Sequence, residues 1–222
     1  MEKRSVKEWL IRIALLIIGL IIAHLGVTLF LLVDLGSDPF NVLIQGIFRR
    51  ISASGTASFF THGRVHVAIS LLRILILIFA DRSYIKIGTL LCMIFGGPII
   101  DVFSLVLNPI IGKVTALPVR IIILALGCVI LAFGMTIVIK SDAGTGPNDL
   151  VAVVISDKLK KKFSIMRIIV DSSFVIIGWL LGGTFGIGTI ICAALVGPVA
   201  GFFMPFSEKI CSKAVGTTTL LT

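Results

Sequence analysis

The sequence has little charge and few of the patterns that mark enzymes. Charged residues make up 14% of the 222-residue chain, whereas a soluble domain keeps about a quarter of its residues charged. The four cysteines show no C-x-x-C spacing, which argues against a zinc site or a disulfide framework. There is no Ser/His/Asp set, H-E-x-x-H sequence or nucleotide-binding loop. We therefore expect no enzyme, no catalytic residues and no cofactor.

Long apolar runs dominate what is present. Apolar residues make up 57% of the chain, and the mean hydropathy is +1.15. The first run, residues 10–33, is longer than the core of a signal peptide, so it predicts a transmembrane helix. The net charge of +9 comes from short basic clusters between the runs, which is typical of cytoplasmic loops and not of a nucleic-acid surface. The sequence thus predicts a multi-pass protein of a bacterial cytoplasmic membrane, with lipid as its surroundings and no nucleic-acid partner.

The chain also contains an internal repeat. A shift of 108 residues pairs Gly19 with Gly127 and Gly26 with Gly134. Further along, a shift of 100 residues pairs Cys92 with Cys192, so the first copy carries about eight extra residues, which we place in the loop-like residues 51–63. We predict an all-α protein of two tandem repeats, residues 1–112 and 113–222, that form one integral membrane domain.

Each repeat is expected to contain three long transmembrane helices and one short helix. The long segments are residues 10–33, 64–80 and 85–107 in the first copy, and 118–139, 164–181 and 187–206 in the second. The short segments, residues 39–48 and 147–156, each follow a Gly/Pro motif. About ten residues are too few to span a bilayer alone, so each short helix is expected to complete a broken crossing that continues from a Gly-rich loop.

The number of crossings decides how the copies are oriented. Three crossings per copy would invert one copy relative to the other, and four would make the copies parallel. Parallel copies place 16 of the 20 Lys and Arg on one side, whereas inversion moves five of these to the other side: Arg49, Arg50, Arg64, Lys113 and Arg120. The positive-inside rule therefore favours parallel copies, eight crossings and a cytoplasmic N-terminus.

Several motifs resemble one family of bacterial membrane proteins. The first helix of each copy is followed by G-x-x-P-x-[DN], and the second copy has the fuller Gly144-x-Gly146-Pro147-x-Asp149. Further motifs are Gly55-Thr56-Ala57-Ser58, Ile87-Gly88-Thr89, Gly97-Pro98-x-x-Asp101, Arg167-x-x-x-Asp171 and the run of residues 178–189. Together they resemble the YczE group of the YczE/YyaS/YitT proteins over nearly the whole chain. The first copy departs from the usual family motif, and residues 61–66 look unlike the family. The resemblance implies a multi-pass transporter-like protein and supplies no reaction.

The two Gly/Pro motifs are the candidate substrate-binding site. Pro at the first position of a helix leaves free backbone N–H groups that favour an anion, and transporters use broken helices in this way. The alternative is an extracellular turn with a helix cap. The candidate residues are Gly36, Pro39, Asn41, Gly144, Gly146, Pro147 and Asp149.

Four charged residues lie within apolar runs, where they are costly and mark function by default. Arg167 and Asp171 are spaced to pair on one helix face, and an Arg73–Asp101 pair is also expected. The alternative is that these pairs only lock helices together. His62 and His66 have metal-ligand spacing but no third ligand, so no metal is predicted.

These residues favour a small secondary transporter or permease of a small charged solute. A solute with one cationic end and one neutral or anionic end would suit Asp149 opposite Asn41. The alternatives are an accessory or regulatory membrane protein and the substrate-capture subunit of an energy-coupling transporter. A homodimer is possible in each case.

Overall fold

The computed structural model describes residues 5–36, 38–51, 62–80 and 84–216. These residues form α-helices and contain no strand. In chain order the helices are α1 (Val6–Leu32), α2 (Pro39–Ile51), α3 (His62–Ala80), α4 (Ile87–Ile111), α5 (Leu117–Lys140), α6 (Pro147–Leu159), α7 (Phe163–Leu180) and α8 (Ile187–Val215). Within the described ranges α1, α4, α5, α7 and α8 are long and apolar enough to cross a membrane. The chain is therefore a helical, multi-pass membrane protein.

The short helices have the length expected of partial crossings. α2 and α6 each have 13 residues, about 20 Å at 1.5 Å per residue, against roughly 30 Å of hydrocarbon. The main difference from the predicted bounds is α8, which continues past residue 206 to Val215. Contacts with α5 explain the extension, because Ser207 shares a 2.7 Å hydrogen bond with Thr136 and Glu208 pairs with Lys140. The loop predicted within residues 51–63 falls almost entirely outside the described residues.

The most extensive helix contact joins α1 to α5. A Cβ atom added to Gly127 would lie 2.9 Å from the carbonyl oxygen of Gly26, and one added to Gly134 would lie 2.6 Å from that of Gly19. Small residues allow two helix backbones to approach this closely. Residue numbers rise along α1 as they fall along α5, so the two helices are antiparallel.

Two arginines at the ends of this pair confirm its direction. Arg12, near the start of α1, donates a 3.0 Å hydrogen bond to the carbonyl of Ser141 after α5. Arg120, near the start of α5, donates to the carbonyl of Val33 at 2.7 Å. The equivalent positions Arg12 and Arg120 therefore lie at opposite ends of the pair. The prediction that equivalent ends face one side is wrong.

Four helices form a first bundle, α1, α4, α5 and α8. α4 runs parallel to α1, and α8 runs parallel to α5, because residue numbers rise together along each pair. The contacts join Gly88 to Leu16, Gly96 to His24, Gly188 to Leu124 and Ser207 to Thr136. The buried centre of this bundle includes Leu124, Ala132 and Val196.

The remaining helices, α2, α3, α6 and α7, form a second bundle. α2 runs parallel to α7, since Phe40 packs on Phe174 with ring centroids 5.8 Å apart and Arg49 donates a 2.7 Å hydrogen bond to the carbonyl of Gly182. α7 in turn packs on α8 of the first bundle. That contact is antiparallel, because Gly197 meets Ile168 and Gly201 meets Ser164.

These directions determine where the short helices begin. α2 runs the same way as α1, so the chain doubles back through residues 33–38 before α2 starts. α6 reverses into α7 through residues 160–162 and so runs the same way as α5, which it follows after another return loop. Each short helix thus begins within the protein and ends towards one face. This geometry excludes eight complete crossings. The chain makes an odd number of crossings between the start of α1 and the start of α5, so these two helices begin on opposite faces.

Candidate functional site

A buried charged group lies where α6 begins beside α7. Arg167 Nε donates a 2.8 Å hydrogen bond to Asp171 one turn later on α7, and Arg167 Nη1 contacts Asp149 in the first turn of α6. The side chain of Arg167 is 12% exposed and that of Asp171 is 4% exposed. One guanidinium therefore joins the predicted binding motif of the second copy to a charge inside α7. Sequence spacing indicated the Arg167–Asp171 pair but not the third member, Asp149.

Arg73 lies near the middle of α3, against the start of α2. Its guanidinium carbon is 3.6 Å from the centroid of the Phe40 ring and 6.0 Å from that of Phe174. Stacking over an aromatic face stabilises a cation that has little water around it. Arg73 also interacts electrostatically with Asp149 and Asp38. The Arg73 side chain thus belongs to the same charged group as Arg167.

Asp101 is not part of this group. It is exposed on α4, whereas Arg73 is buried in the second bundle. The predictions of a buried Asp101 and of an Arg73–Asp101 ion pair are therefore wrong. The carboxylates near Arg73 come from the α1–α2 loop and from α6 because those segments return into the protein.

The starts of the two short helices differ. At α2 the carboxylate of Asp38 accepts hydrogen bonds from the backbone N–H groups of Phe40 and Asn41, at 3.1 and 3.2 Å. The side chain of Asn41 also donates to Asp38. An acidic cap of this kind satisfies the helix start, so the expected free N–H groups of α2 are already occupied by the protein's own anion. At α6 the cap residue is Gly146, which makes no side-chain cap.

The glycines of the two motifs serve close packing. Gly36 and Gly144 have φ angles of +139° and +148°, which side-chain-bearing residues rarely adopt. A Cβ atom added to Gly144 would lie 2.5 Å from the backbone nitrogen of Thr89, and one on Gly36 would lie 2.7 Å from Oγ1 of Thr189. Each return loop is therefore pressed against the first turn of α4 or α8. Gly146 is different, because there is room for a side chain: an added Cβ atom would have no neighbour closer than Asp149, at 3.8 Å.

The charged group faces the seam, by which we mean the boundary between the first and second bundles. The start of α6 lies against α4, because a Cβ atom added to Gly146 would be 3.9 Å from Cβ of Cys92. The loop before α2 lies against α8, at Thr189. The carboxylate of Asp149 is also within electrostatic range of His24 on α1. His24 was missed at the sequence level, although an imidazole inside the first apolar run is itself a signal. Its Nδ1 lies 2.8 Å from the carbonyl of Leu20.

The other candidates have plainer surroundings. Cys92 and Cys192 lie in separate packing clusters, on α4 and α8, and are free thiols. The side chains of His62 and His66 fall outside the part of the chain that the structure describes. Within that part no group of three or more His, Cys, Asp or Glu residues could hold a metal ion.

Comparison with known proteins identifies relatives but no reaction. The chain is 28% identical over 220 residues to the uncharacterized membrane protein YczE of Bacillus subtilis (strain 168), covering 99% of this chain and 95% of YczE. An uncharacterized protein of Haemophilus influenzae is 30% identical over 199 residues, covering 89% and 85% of the two chains. The uncharacterized protein YyaS of Bacillus subtilis (strain 168) is 27% identical over 193 residues, covering 86% and 92%. No solved structure matches the chain.

The match to a family model extends over most of both bundles. Residues 10–205 fit the model described as a family of unknown function, DUF6198. That span begins in α1 and ends within α8, so it contains both Gly/Pro motifs and the whole charged group. The chain belongs to this DUF6198 family of YczE-like membrane proteins.

Proposed function

We propose that the protein is a small permease that moves a small charged solute along the seam between its two bundles. The observation that carries this proposal is the charged group of buried Arg73 and Asp171 and partly buried Asp149 and Arg167, placed where two short helices begin inside the protein. Buried charges within a membrane protein are costly and mark ion or solute pathways by default. Broken helices at mid-membrane are the common binding element of secondary transporters.

We also propose that the chain consists of two inverted copies. A shift of 108 residues converts the Gly19–Gly134 contact into the Gly127–Gly26 contact. The same shift converts the Arg12–Ser141 hydrogen bond into the Arg120–Val33 hydrogen bond. Equivalent residues also share unusual backbone angles, with positive φ at Asp34 and Asp142 and at Gly36 and Gly144. Such a relation supports an axis in the membrane plane, as in many secondary transporters.

The charges suggest the class of solute. Three carboxylates, Asp38, Asp149 and Asp171, lie near two guanidinium groups, Arg73 and Arg167. Asp38 caps α2 and the Asp171 side chain is only 4% exposed, whereas Asp149, which shares Arg167 with Asp171, is 22% exposed at the start of α6. Asp149 is therefore the acid of the group that a solute in the seam would reach first. A solute with a cationic group would meet Asp149, and its neutral or anionic end would lie towards Arg73. A small zwitterion fits this arrangement.

We place the N-terminus in the cytoplasm of a bacterial cell. The helix directions assign the described basic side chains other than Arg73 and Arg167, which lie inside the protein, to one of the two faces. The N-terminal face carries Lys7, Arg12, Lys86, Lys140, Lys158, Lys160, Lys161, Lys162, Lys209 and Lys213, and the opposite face carries Arg49, Arg50, Lys113 and Arg120. The positive-inside rule then puts the N-terminal face inside.

Water access to the seam tests the permease proposal. In a variant with Cys92, Cys128, Cys192 and Cys211 replaced by Ala, Asn41→Cys and Asp149→Cys would be labelled with a membrane-impermeant thiol reagent from either side. We expect both to react. The control is Ile176→Cys on α7, which is 56% exposed on an apolar surface and should stay unlabelled in lipid. If both seam cysteines resist the reagent from both sides while the protein remains folded, the interior is sealed and the permease proposal fails.

A further inference from the structure

The seam is closely packed between α7 and α8, but it is open at the equivalent place between α3 and α4. α7 packs on α8 through Gly197, where an added Cβ would lie 2.7 Å from the carbonyl oxygen of Ser164 and 2.8 Å from Cγ1 of Ile168. The equivalent glycine on α4 is Gly97. A Cβ added there would meet nothing within 4 Å, and among the described residues α3 makes no extensive contact with α4. One copy has therefore closed a contact that the other copy leaves open.

Asp101 lies on α4 one turn after Gly97, where the contact is open. The 100-residue shift pairs it with Gly201, where an added Cβ would lie 2.9 Å from Cβ of Ser164. Asp101 itself is exposed halfway along the apolar helix α4. A carboxylate facing hydrocarbon costs a few kcal/mol, so an exposed Asp at this depth indicates a hydrated gap or a second packing arrangement.

Contacts with the short helices give the register between α3 and α7. Gly178 on α7 touches Val42 on α2. The 108-residue shift converts Val42 on α2 into Leu150 on α6. Leu150 packs with Leu77 on α3. Leu77 therefore corresponds to Gly178, a shift of 101. By this register Gly63 and Val67 occupy the α3 positions equivalent to Ser164 and Ile168.

We propose that the protein has a second state in which α3 packs on α4 at Gly97 while α7 separates from α8. The proposal rests on the permease function and on the inverted copies, since exchanging the conformations of the two copies generates this state. Asp101 would then meet the first turn of α3 (His62–Ala80). An acidic group is favourable at a helix N-terminus.

The two states open the seam to opposite faces. Ser164 belongs to the first turn of α7, near the face that carries the N-terminus, so the state described here is closed towards that face. The first turn of α3 lies at the other end by the inverted relation. Packing α3 on α4 would therefore close the far face and open the near one. Gly97 and Gly197 are the contact points of the two alternative closures.

Distances between spin labels test the second state. On the background without native cysteines, labels at Leu72 on α3 and Val102 on α4, both exposed, would be measured by double electron–electron resonance in lipid nanodiscs. We expect two distance populations. Gly97→Leu should abolish the population with the shorter distance, because the added side chain would block packing of α3 on α4. It should not lower the melting temperature, because the space at Gly97 is open in the state described here. Gly197→Leu should enrich the shorter one. If Gly197→Leu does not fold, Gly201→Leu replaces it.

The outcomes separate this proposal from the permease proposal. A single long distance in the wild type that persists in Gly197→Leu or Gly201→Leu would overturn the second state, even if cysteines at 41 and 149 react with thiol reagents. A short population that Gly97→Leu leaves unchanged would also overturn it. Two populations together with unreactive seam cysteines would keep the motion and reject the permease. The distance measurement needs no solute, so it does not depend on identifying one.

Discussion

Gly26 on α1 and Gly127 on α5 touch through their backbones. A Cβ atom added to Gly127 would lie 2.9 Å from the carbonyl oxygen of Gly26, and one added to Gly26 would overlap the carbonyl oxygen of Gly127. Neither neighbour is a flexible side chain, so the helices themselves would have to separate. This contact fixes the spacing of the central helix pair, and the second contact, of Gly19 with Gly134, gives its antiparallel direction.

Gly26→Ala should therefore lower the free energy of unfolding by about 1–3 kcal/mol, the usual cost of overpacking. The matched control is Gly97→Ala, which places the same methyl group in open space on α4. We expect the control to be neutral or slightly stabilising, because Ala favours a helix more than Gly does. Melting temperatures in detergent would measure both. Equal losses in the two variants would contradict the close α1–α5 packing.

Removing the Arg167 guanidinium should have a large effect. Arg167→Leu leaves Asp149 and Asp171 without their cation, and a stranded buried charge costs about 3–5 kcal/mol. The triple variant Arg167→Leu/Asp149→Asn/Asp171→Asn should recover much of this loss. Lys140→Leu is the control, because its pair with Glu208 is more exposed and worth about 0–1 kcal/mol. Denaturation of all three variants decides the matter, and a triple variant less stable than Arg167→Leu would contradict the network.

The two glycines of the second motif should respond differently to the same change. Gly144→Ala forces a side chain into a positive φ and against the backbone of Thr89, so it should cost more than about 1 kcal/mol. Gly146→Ala adds a methyl group that meets Asp149 only at 3.8 Å and should change stability by less than about 0.5 kcal/mol. Thermal unfolding compares them directly. Greater loss at Gly146 would mean that the motif is packed differently.

Residues 50 and 160 should lie on opposite sides of the membrane. α2 ends towards the face away from the N-terminus, and α6 ends towards the N-terminal face. In intact cells, with the native cysteines replaced, a membrane-impermeant reagent should label Arg50→Cys and leave Lys160→Cys unlabelled until the cells are opened. Lys113→Cys should behave like residue 50. Labelling of 50 and 160 from the same side would restore the parallel copies.

Asp149→Asn should reduce solute transport more than it reduces stability. The amide keeps the shape of the carboxylate but removes its charge, and losing one charged hydrogen bond of about 1.5–3 kcal/mol corresponds to roughly 10–100-fold weaker binding. Asn41→Ala should have a smaller effect, because Asn41 is engaged by Asp38. Thermal-shift screening against small zwitterions, cations and anions would identify the solute, and uptake into proteoliposomes would compare the variants. Normal uptake by Asp149→Asn would remove Asp149 from the site.

The sequence was sufficient for the order of the eight described helices, and Pro39 and Pro147 are the first residues of α2 and α6 as predicted. Of the six predicted long transmembrane segments, five are long and apolar enough to cross a membrane in the described residues, and α3 is not among them. Spacing one helical turn apart was also enough to pair Arg167 with Asp171. These features depend on local chemistry, which a linear pattern records directly.

The direction of the second copy could not be obtained in this way. Gly19 pairs with Gly127 in the sequence whether the copies are parallel or inverted. Contacts between the copies, such as that of Gly19 with Gly134, are needed to distinguish the two. Charge counting also failed, because the basic cluster at 158–162 lies on the N-terminal face in both arrangements. The burial of Asp101 was mispredicted for a similar reason. An acid within an apolar run is equally compatible with a packed interior and with an open gap.

The antiparallel α1–α5 pair has a consequence for biosynthesis. The insertion machinery meets two similar sets of apolar segments in one chain and must integrate the second set upside down. In the orientation that we propose, Lys140 and the basic residues at 158–162 lie on the cytoplasmic face and would hold the second set there. Synthesised as separate chains, the two halves should still recognise each other through the four glycines of the central crossing.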